Sequence, residues 1–139
     1  MANTIDMQSM RYINLFEKIS NVSTTKCFVY NNVIIFAVPK YLIAKAIGKD
    51  GENVRKISEI LSRKIKVIQA VDERKDIFKF VSDIVEPVTF NKIEVKDNCV
   101  SISAGKQSKA ALIGRNRTRE QELEDILKKF FDVDRVRIV

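Results

Sequence analysis

The sequence predicts an α+β fold made of two consecutive copies of one unit, each running helix, strand, strand, helix, helix, strand. Three observations lead there. A short glycine-bearing loop interrupts a helical pattern at Ile47-Gly48-Lys49-Asp50-Gly51, and an altered copy, Ile113-Gly114-Arg115-Asn116-Arg117, recurs 66 positions later. The same shift carries Ala44 to Ala110, Ile57 to Leu123, Ile60 to Ile126 and Leu61 to Leu127. The strand-like and helix-like segments around the two loops also follow one order.

The first element is a helix expected over residues 5–20. Thr4 can cap it, Asp6 lies in its first turn and Lys18 in its last, as the helix dipole prefers. Tyr12, Leu15, Phe16 and Ile19 supply its apolar face. Strands are expected at 26–30 and 33–38, turned by Asn31-Asn32, because Asn tolerates a positive φ better than most residues. Pro39 ends the second strand. A short helix over 40–47, the loop, and a longer helix over 52–62 follow. In the longer helix Val54, Ile57, Ile60 and Leu61 are spaced to line one face. A strand over 64–70 closes the unit, with Ile65 and Val67 alternating against Lys64 and Lys66.

The second unit begins with a helix over 75–85, terminated by Pro87. Strands are expected at 88–96 and 99–103, turned by Asp97-Asn98. Helices at 106–113 and 118–131 flank the second loop, and a last strand covers 135–139. That strand aligns with 64–67 only at a shift of 71, so about five residues are expected as an insertion after the second long helix. Residues 1–72 and 73–139 are therefore read as two domains, joined without a Gly/Ser/Pro-rich linker and expected to be rigidly coupled.

Composition removes several function classes. The chain of 139 residues has no His, which excludes Ser-His-Asp and Cys-His catalysis and His-ligated metal sites. Cys27 and Cys99 are not in a C-x-x-C pair, and both read as buried reduced thiols. The longest apolar run, 33–38, is too short to span a bilayer, so no membrane association is expected. A cytoplasmic protein with no catalytic residues, no metal and no cofactor is the expectation. Lys and Arg number 25 against 18 acidic residues, a net charge of +7 that suits a polyanionic partner. Residues 1–72 carry 11 basic and 6 acidic side chains, and residues 73–139 carry 14 and 12. The first unit should be the stronger electrostatic partner.

The loops carry the functional signal. A helix, a tight turn and a second helix place backbone N–H groups where the dipole favours an anion. Gly48 and Gly51 remove side chains, so a phosphodiester backbone can come close, and Lys49 adds charge. By itself a G-x-x-G of this kind also fits an ordinary helix-turn-helix corner with Gly48 as its C-cap.

The wider stretch from Ile47 to Ile57 reads I-G-x-x-G-x-x-[apolar]-x-x-[apolar], between two helices, after two strands and before a third. It resembles the KH domain, whose G-x-x-G loop clamps about four backbone nucleotides of a single strand. The element order is similar to the type II KH arrangement, which implies a three-stranded mixed sheet packed against helices in each unit. Two such domains in succession resemble the archaeal NusA-like transcription factors. The resemblance implies single-stranded RNA as the partner, RNA polymerase as a further one, a monomeric state and a role in transcription termination or elongation. Carried over position by position, it makes Ile47, Gly48, Lys49, Asp50 and Gly51 RNA-binding residues of the first unit, and Lys45 and Arg55 flank that loop as candidate phosphate contacts. Gly114, Arg115, Asn116 and Arg117 are the loop's counterparts in the second unit, and Arg119 gathers with Arg115 and Arg117 near the helix N-terminus as a further candidate contact.

The second copy departs from the motif, since Gly51 corresponds to Arg117 and Val54 to Glu120. Arginines near a helix N-terminus are unfavourable by a few tenths of a kcal/mol or more, a cost a bound phosphate would relieve. Glu120, Glu122, Glu124 and Asp125 offer a second way to neutralise them. That acidic run also supports a different function, an adaptor whose second domain docks on RNA polymerase or a ribosomal component, with RNA binding secondary.

Overall fold

The computed structural model describes residues 7–139, which form two compact units, 7–71 and 72–139. In the first, α1 (Met7–Ser20) precedes β1 (Lys26–Tyr30) and β2 (Val33–Val38). A tight helical turn, Lys40–Leu42, leads into α2 (Ile43–Ile47), and α3 (Glu52–Leu61) and β3 (Lys64–Gln69) follow. The expected cap Thr4 and first-turn Asp6 lie outside the described residues. The second unit has α4 (Ile77–Val85), β4 (Lys92–Lys96), β5 (Cys99–Ser103), α5 (Lys106–Ile113), α6 (Thr118–Phe131) and β6 (Arg135–Ile138). The described chain is thus α+β, with six α-helices and two three-stranded sheets.

Each sheet is mixed. β1 and β2 are antiparallel with Tyr30 opposite Val33, and β2 and β3 are parallel with Phe36 opposite Val67. β4, β5 and β6 repeat that topology, with Lys96 opposite Cys99 and Val100 opposite Val136. Both hairpins turn through two left-handed residues, Asn31 and Asn32 (φ 50° and 63°) and Asp97 and Asn98 (φ 51° and 62°). These torsions match the twist of the flanking strands, and Asn and Asp reach them cheaply.

The first core packs Tyr12 and Phe16 of α1 and Ile57 of α3 against Cys27, Ile34, Phe36, Val38 and Ile65 of the sheet. Phe16 stacks on Phe36 with ring centroids 4.3 Å apart. In the second unit Val100, Ile102, Leu112, Leu123, Leu127 and Phe80 are all fully buried. An arginine secures the base of each unit. Arg63 donates to Tyr12 Oη and to Asn32 Oδ1. Arg74 donates to Asn98 Oδ1 and to the carbonyls of Phe131 and Asp132, which otherwise end α6 without partners.

Four expectations change. The strand expected over 88–96 begins only at Lys92, because Lys92 already faces Ser103, the last residue of β5; Asn91 N–H still donates to Ser103 O, but 88–90 lie beyond the end of that strand. Ile60 is 57% exposed rather than part of the apolar face, whereas its counterpart Ile126 is buried. The inserted residues lie mostly inside the helix: α6 has 14 residues against 10 in α3, and one more extends the connection to β6. Cys27 is buried, but Cys99 is only half-buried on the outward face of β5, and neither is in a disulfide.

The longer α6 has a second feature. Glu124 Oε1 accepts from Val136 N–H at 3.0 Å and Glu120 Oε2 from Ile138 N–H at 3.1 Å. Two carboxylates on one helix face thereby satisfy the outer edge of β6. Burial pushes the Glu124 carboxyl up, but the Val136 N–H and Lys128 outweigh it and hold it below its ordinary value. A depressed carboxylate contributes stability above its unfolded pKa and loses it as pH falls through the folded one. Thermal unfolding of the wild type should therefore worsen more steeply below about pH 4.5 than that of Glu124→Gln. Parallel pH profiles for the two proteins would show that the carboxylate adds nothing at the strand edge.

Candidate nucleic-acid interface

The first loop is a fixed left-handed corner. α2 ends at Gly48 (φ 82°, ψ 170°), Lys49 follows, and Asp50 (φ 54°) and Gly51 (φ 75°) are both left-handed before α3 begins. Gly51 N–H donates to Gly48 O at 3.2 Å. Asn53 Nδ2 donates to Lys45 O at 3.1 Å, tying α3 to α2 across the turn. Arg55 Nη1 donates to Asp50 O and braces the corner from the far side.

The two glycines serve different needs. A Cβ on Gly48 would lie 2.9 Å from the Asn53 side chain, so that position excludes any side chain on space as well as torsion. A Cβ on Gly51 would find only Arg55 Nη1, at 3.9 Å. The surface over Gly51 is open. No side chain caps α3, so its positive end faces the same opening.

The structure brings the expected residues of this loop together. Lys45, Lys49, Asp50 and Arg55 are exposed, and Ile47, Gly48 and Gly51 are half-buried. Among the described residues no carboxylate pairs with Lys40, Lys45, Lys49 or Lys56. Asp50 supplies a left-handed torsion, and only its carbonyl is held, by Arg55. Of the apolar neighbours, Ile65 belongs to the core, and Ile43 and Val67 pack against it, whereas Ala44 is exposed. Tyr41, 83% exposed in the turn before α2, lies outside the loop motif and was not among the residues expected from the sequence. Its helical spacing to Ala44, Lys45 and Gly48 was the available signal.

The second loop keeps the backbone and changes the chemistry. Gly114 (φ 74°, ψ 173°), Asn116 (φ 57°) and Arg117 (φ 61°) repeat the torsions, and Arg117 N–H donates to Gly114 O at 3.2 Å. Thr118 Oγ1, donating to Arg115 O at 2.7 Å, takes the bracing part that Arg55 has in the first loop. The Arg117 side chain is 82% exposed and lies 3.6 Å from Glu120. Arg119 is mostly covered, packs beside Gly114 and pairs with Glu122 at 3.1 Å. Arg115 is exposed, with no carboxylate partner among the described residues. Glu120, Glu122 and Glu124 are all engaged inside the unit.

Among the described residues no group of His, Cys, Asp and Glu could hold a metal ion, and no helix is long and apolar enough to cross a membrane. An open, uncapped helix start, flanked in sequence by lysines that have no carboxylate partner among the described residues, can hold a polyanion electrostatically.

No family model matches the chain. A curated protein of Halococcus morrhuae, "Probable transcription termination protein NusA", is 23% identical over 99% of this chain and 99% of its own length. A protein of Methanocaldococcus jannaschii with the same description is 27% identical over 91% of this chain and 70% of its own. Among solved structures, that of a protein designated APE1850 matches with a TM-score of 0.70 and 28% identity, covering 97% of this chain and 100% of that one. Along most of its length the chain is thus similar to archaeal proteins described as probable transcription termination proteins.

The loop geometry ranks two substitutions. Gly51→Ala meets only left-handed strain and should cost about 1 kcal/mol. Gly48→Ala adds a clash in a torsional region open almost only to glycine and should cost about 3 kcal/mol. Urea unfolding of the full chain checks this ranking, and equal losses would refute the distinction between the two glycines.

Proposed function

We propose that the chain is a non-catalytic factor that grips single-stranded RNA through two tandem KH domains and acts in transcription termination or elongation, with RNA polymerase as a further partner. The observation that carries this reading is the open left-handed corner at Gly48–Gly51, with Lys45 and Lys49 beside it and, among the described residues, no carboxylate holding either. A phosphodiester has the charge for that opening and the slimness to approach the Gly51 backbone. Asn53 and Arg55 hold the corner in shape before ligand arrives, which lowers the ordering cost of binding. The relatives described as transcription termination proteins support the process in which the RNA is met.

The second unit contributes charge more than grip. Arg117 stands where Gly51 leaves the first loop open, and two of its three loop arginines already face glutamates. Glu120 and Glu124, engaged at the edge of β6, leave the acidic run with little to offer a basic protein.

Lys49→Asp tests the grip. Its affinity for poly(U) should fall, and the slope of log affinity against log salt should flatten by about 0.7 for each phosphate that is no longer neutralised. Far-UV circular dichroism should stay as in the wild type, because Lys49 is exposed and has no side-chain partner among the described residues to lose. Unchanged affinity would sink the phosphate-clamp assignment.

A further inference from the structure

The geometry points to Tyr41 as a base-stacking platform that extends the nucleic-acid track along α2, away from the loop; this rests on the proposed RNA binding. Tyr41 is the most exposed large hydrophobic residue among those described, at 83%, and has no hydrogen bond or ring contact there. It does not lie on a floppy segment. Pro39 precedes it with φ −54°, Leu42 N–H donates to Pro39 O at 2.9 Å, and Ile43 N–H donates to Lys40 O. The backbone under the ring is locked while the ring itself is left in water.

Its position relative to the loop supplies the second argument. Residues 41, 44, 45 and 48 share one helical face. Tyr41, Ala44 and Lys45 on that face are exposed, whereas Leu42 and Ile43 pack against the core and Ala46 is buried. Ala44 and Lys45 stand on that face between the ring and Gly48, which is about 10 Å away along the helix axis. A strand whose phosphate lies over the loop can continue over Ala44 and lay a base on the ring, with Lys40 and Lys45 at its sides. Aromatic stacking suits a low-specificity binder, because every base has a π-face.

The repeat provides an internal contrast. A shift of 66 puts Gln107 in place of Tyr41 and Ala111 in place of Lys45, while Ala110 still matches Ala44. The ring and the amine are missing from the unit whose loop also lacks the second glycine. They occur together only beside the intact loop.

Binding of the full chain to poly(A) and poly(U) over a range of salt tests the platform, with Lys49→Asp as the companion variant. Tyr41→Ala should weaken binding about 5- to 30-fold with the salt slope unchanged, since a stacked ring releases no counterion. Tyr41→Phe should bind as the wild type does, and Tyr41→Leu should stay weak. The chain has no Trp, so Tyr41→Trp gives a single emission signal, which RNA should quench. Wild-type binding by Tyr41→Ala alongside weakened Lys49→Asp would overturn the platform and leave the clamp standing. Full rescue by Leu would also overturn it, by showing apolar cover rather than stacking. If neither Tyr41→Ala nor Lys49→Asp changes binding, the clamp and the platform fall together.

Discussion

The constraint on which the rest depends is the left-handed corner that joins two helices within four residues. Gly48, Asp50 and Gly51 all have positive φ, a region that costs an ordinary residue about 1–2 kcal/mol. Close packing of α2 and α3 is possible only if that cost is met. Gly meets it at the two positions where a side chain would strain or clash, and Asp and Asn, which tolerate the region, meet it at the third. The second unit repeats the torsions with Arg117 in the last place, so the backbone shape has persisted where the sequence motif has not. The function proposed for the loop is a by-product of this corner. Turning so sharply leaves the start of α3 uncapped, and an uncapped helix start attracts an anion.

From this shared corner the units diverge through the helix that follows it. A shift of 66 replaces Val54 by Glu120 and Ser58 by Glu124. In a parallel strand pair, alternate N–H groups of the outer strand point away from the sheet. Those of Val136 and Ile138 reach Glu124 and Glu120. In the first unit Val54 packs into the core, Ser58 Oγ donates to Arg63 O, and the matching N–H groups of Ile65 and Val67 find no partner among the described residues. One unit therefore keeps an open strand edge and an open loop, and the other closes its edge with its own carboxylates. An open edge is a place where another molecule can pair.

Elements with local causes were legible in the sequence. The Asn31-Asn32 and Asp97-Asn98 turns were visible because few residue types accept two successive left-handed torsions; the first joins two largely apolar runs and the second two runs that alternate in polarity. The glycine loop and the repeat were visible for the same kind of reason. What could not be read depends on partners distant in sequence. Residues 88–90 carry strand-like residues, yet β5 ends too soon to pair with them. Ile60 has the spacing of a core residue but lies at the edge of the face that α3 buries, where periodicity cannot separate inside from outside. Glu120 and Glu124 read as a solvated acidic run, because nothing local reveals that an unpaired strand edge lies beside them. Tyr41 lies one turn upstream of where the loop motif drew attention.

The two units also differ in how their charges are distributed. In the second unit Glu73, Asp83, Glu94, Glu120, Glu122 and Glu124 each hold a lysine or arginine within 4 Å. Such surface pairs add little to stability, roughly 0–1 kcal/mol each. They still remove the paired cation from any long-range attraction, because a dipole's field falls faster than a charge's. Around the first loop, Lys40, Lys45, Lys49 and Lys56 have no such partner among the described residues, and their fields add at distances within the Debye length of about 8 Å. In the second loop only Arg115 is left in that condition. Under the RNA reading, a strand approaching the chain meets its strongest attraction where the loop is also open enough to hold it.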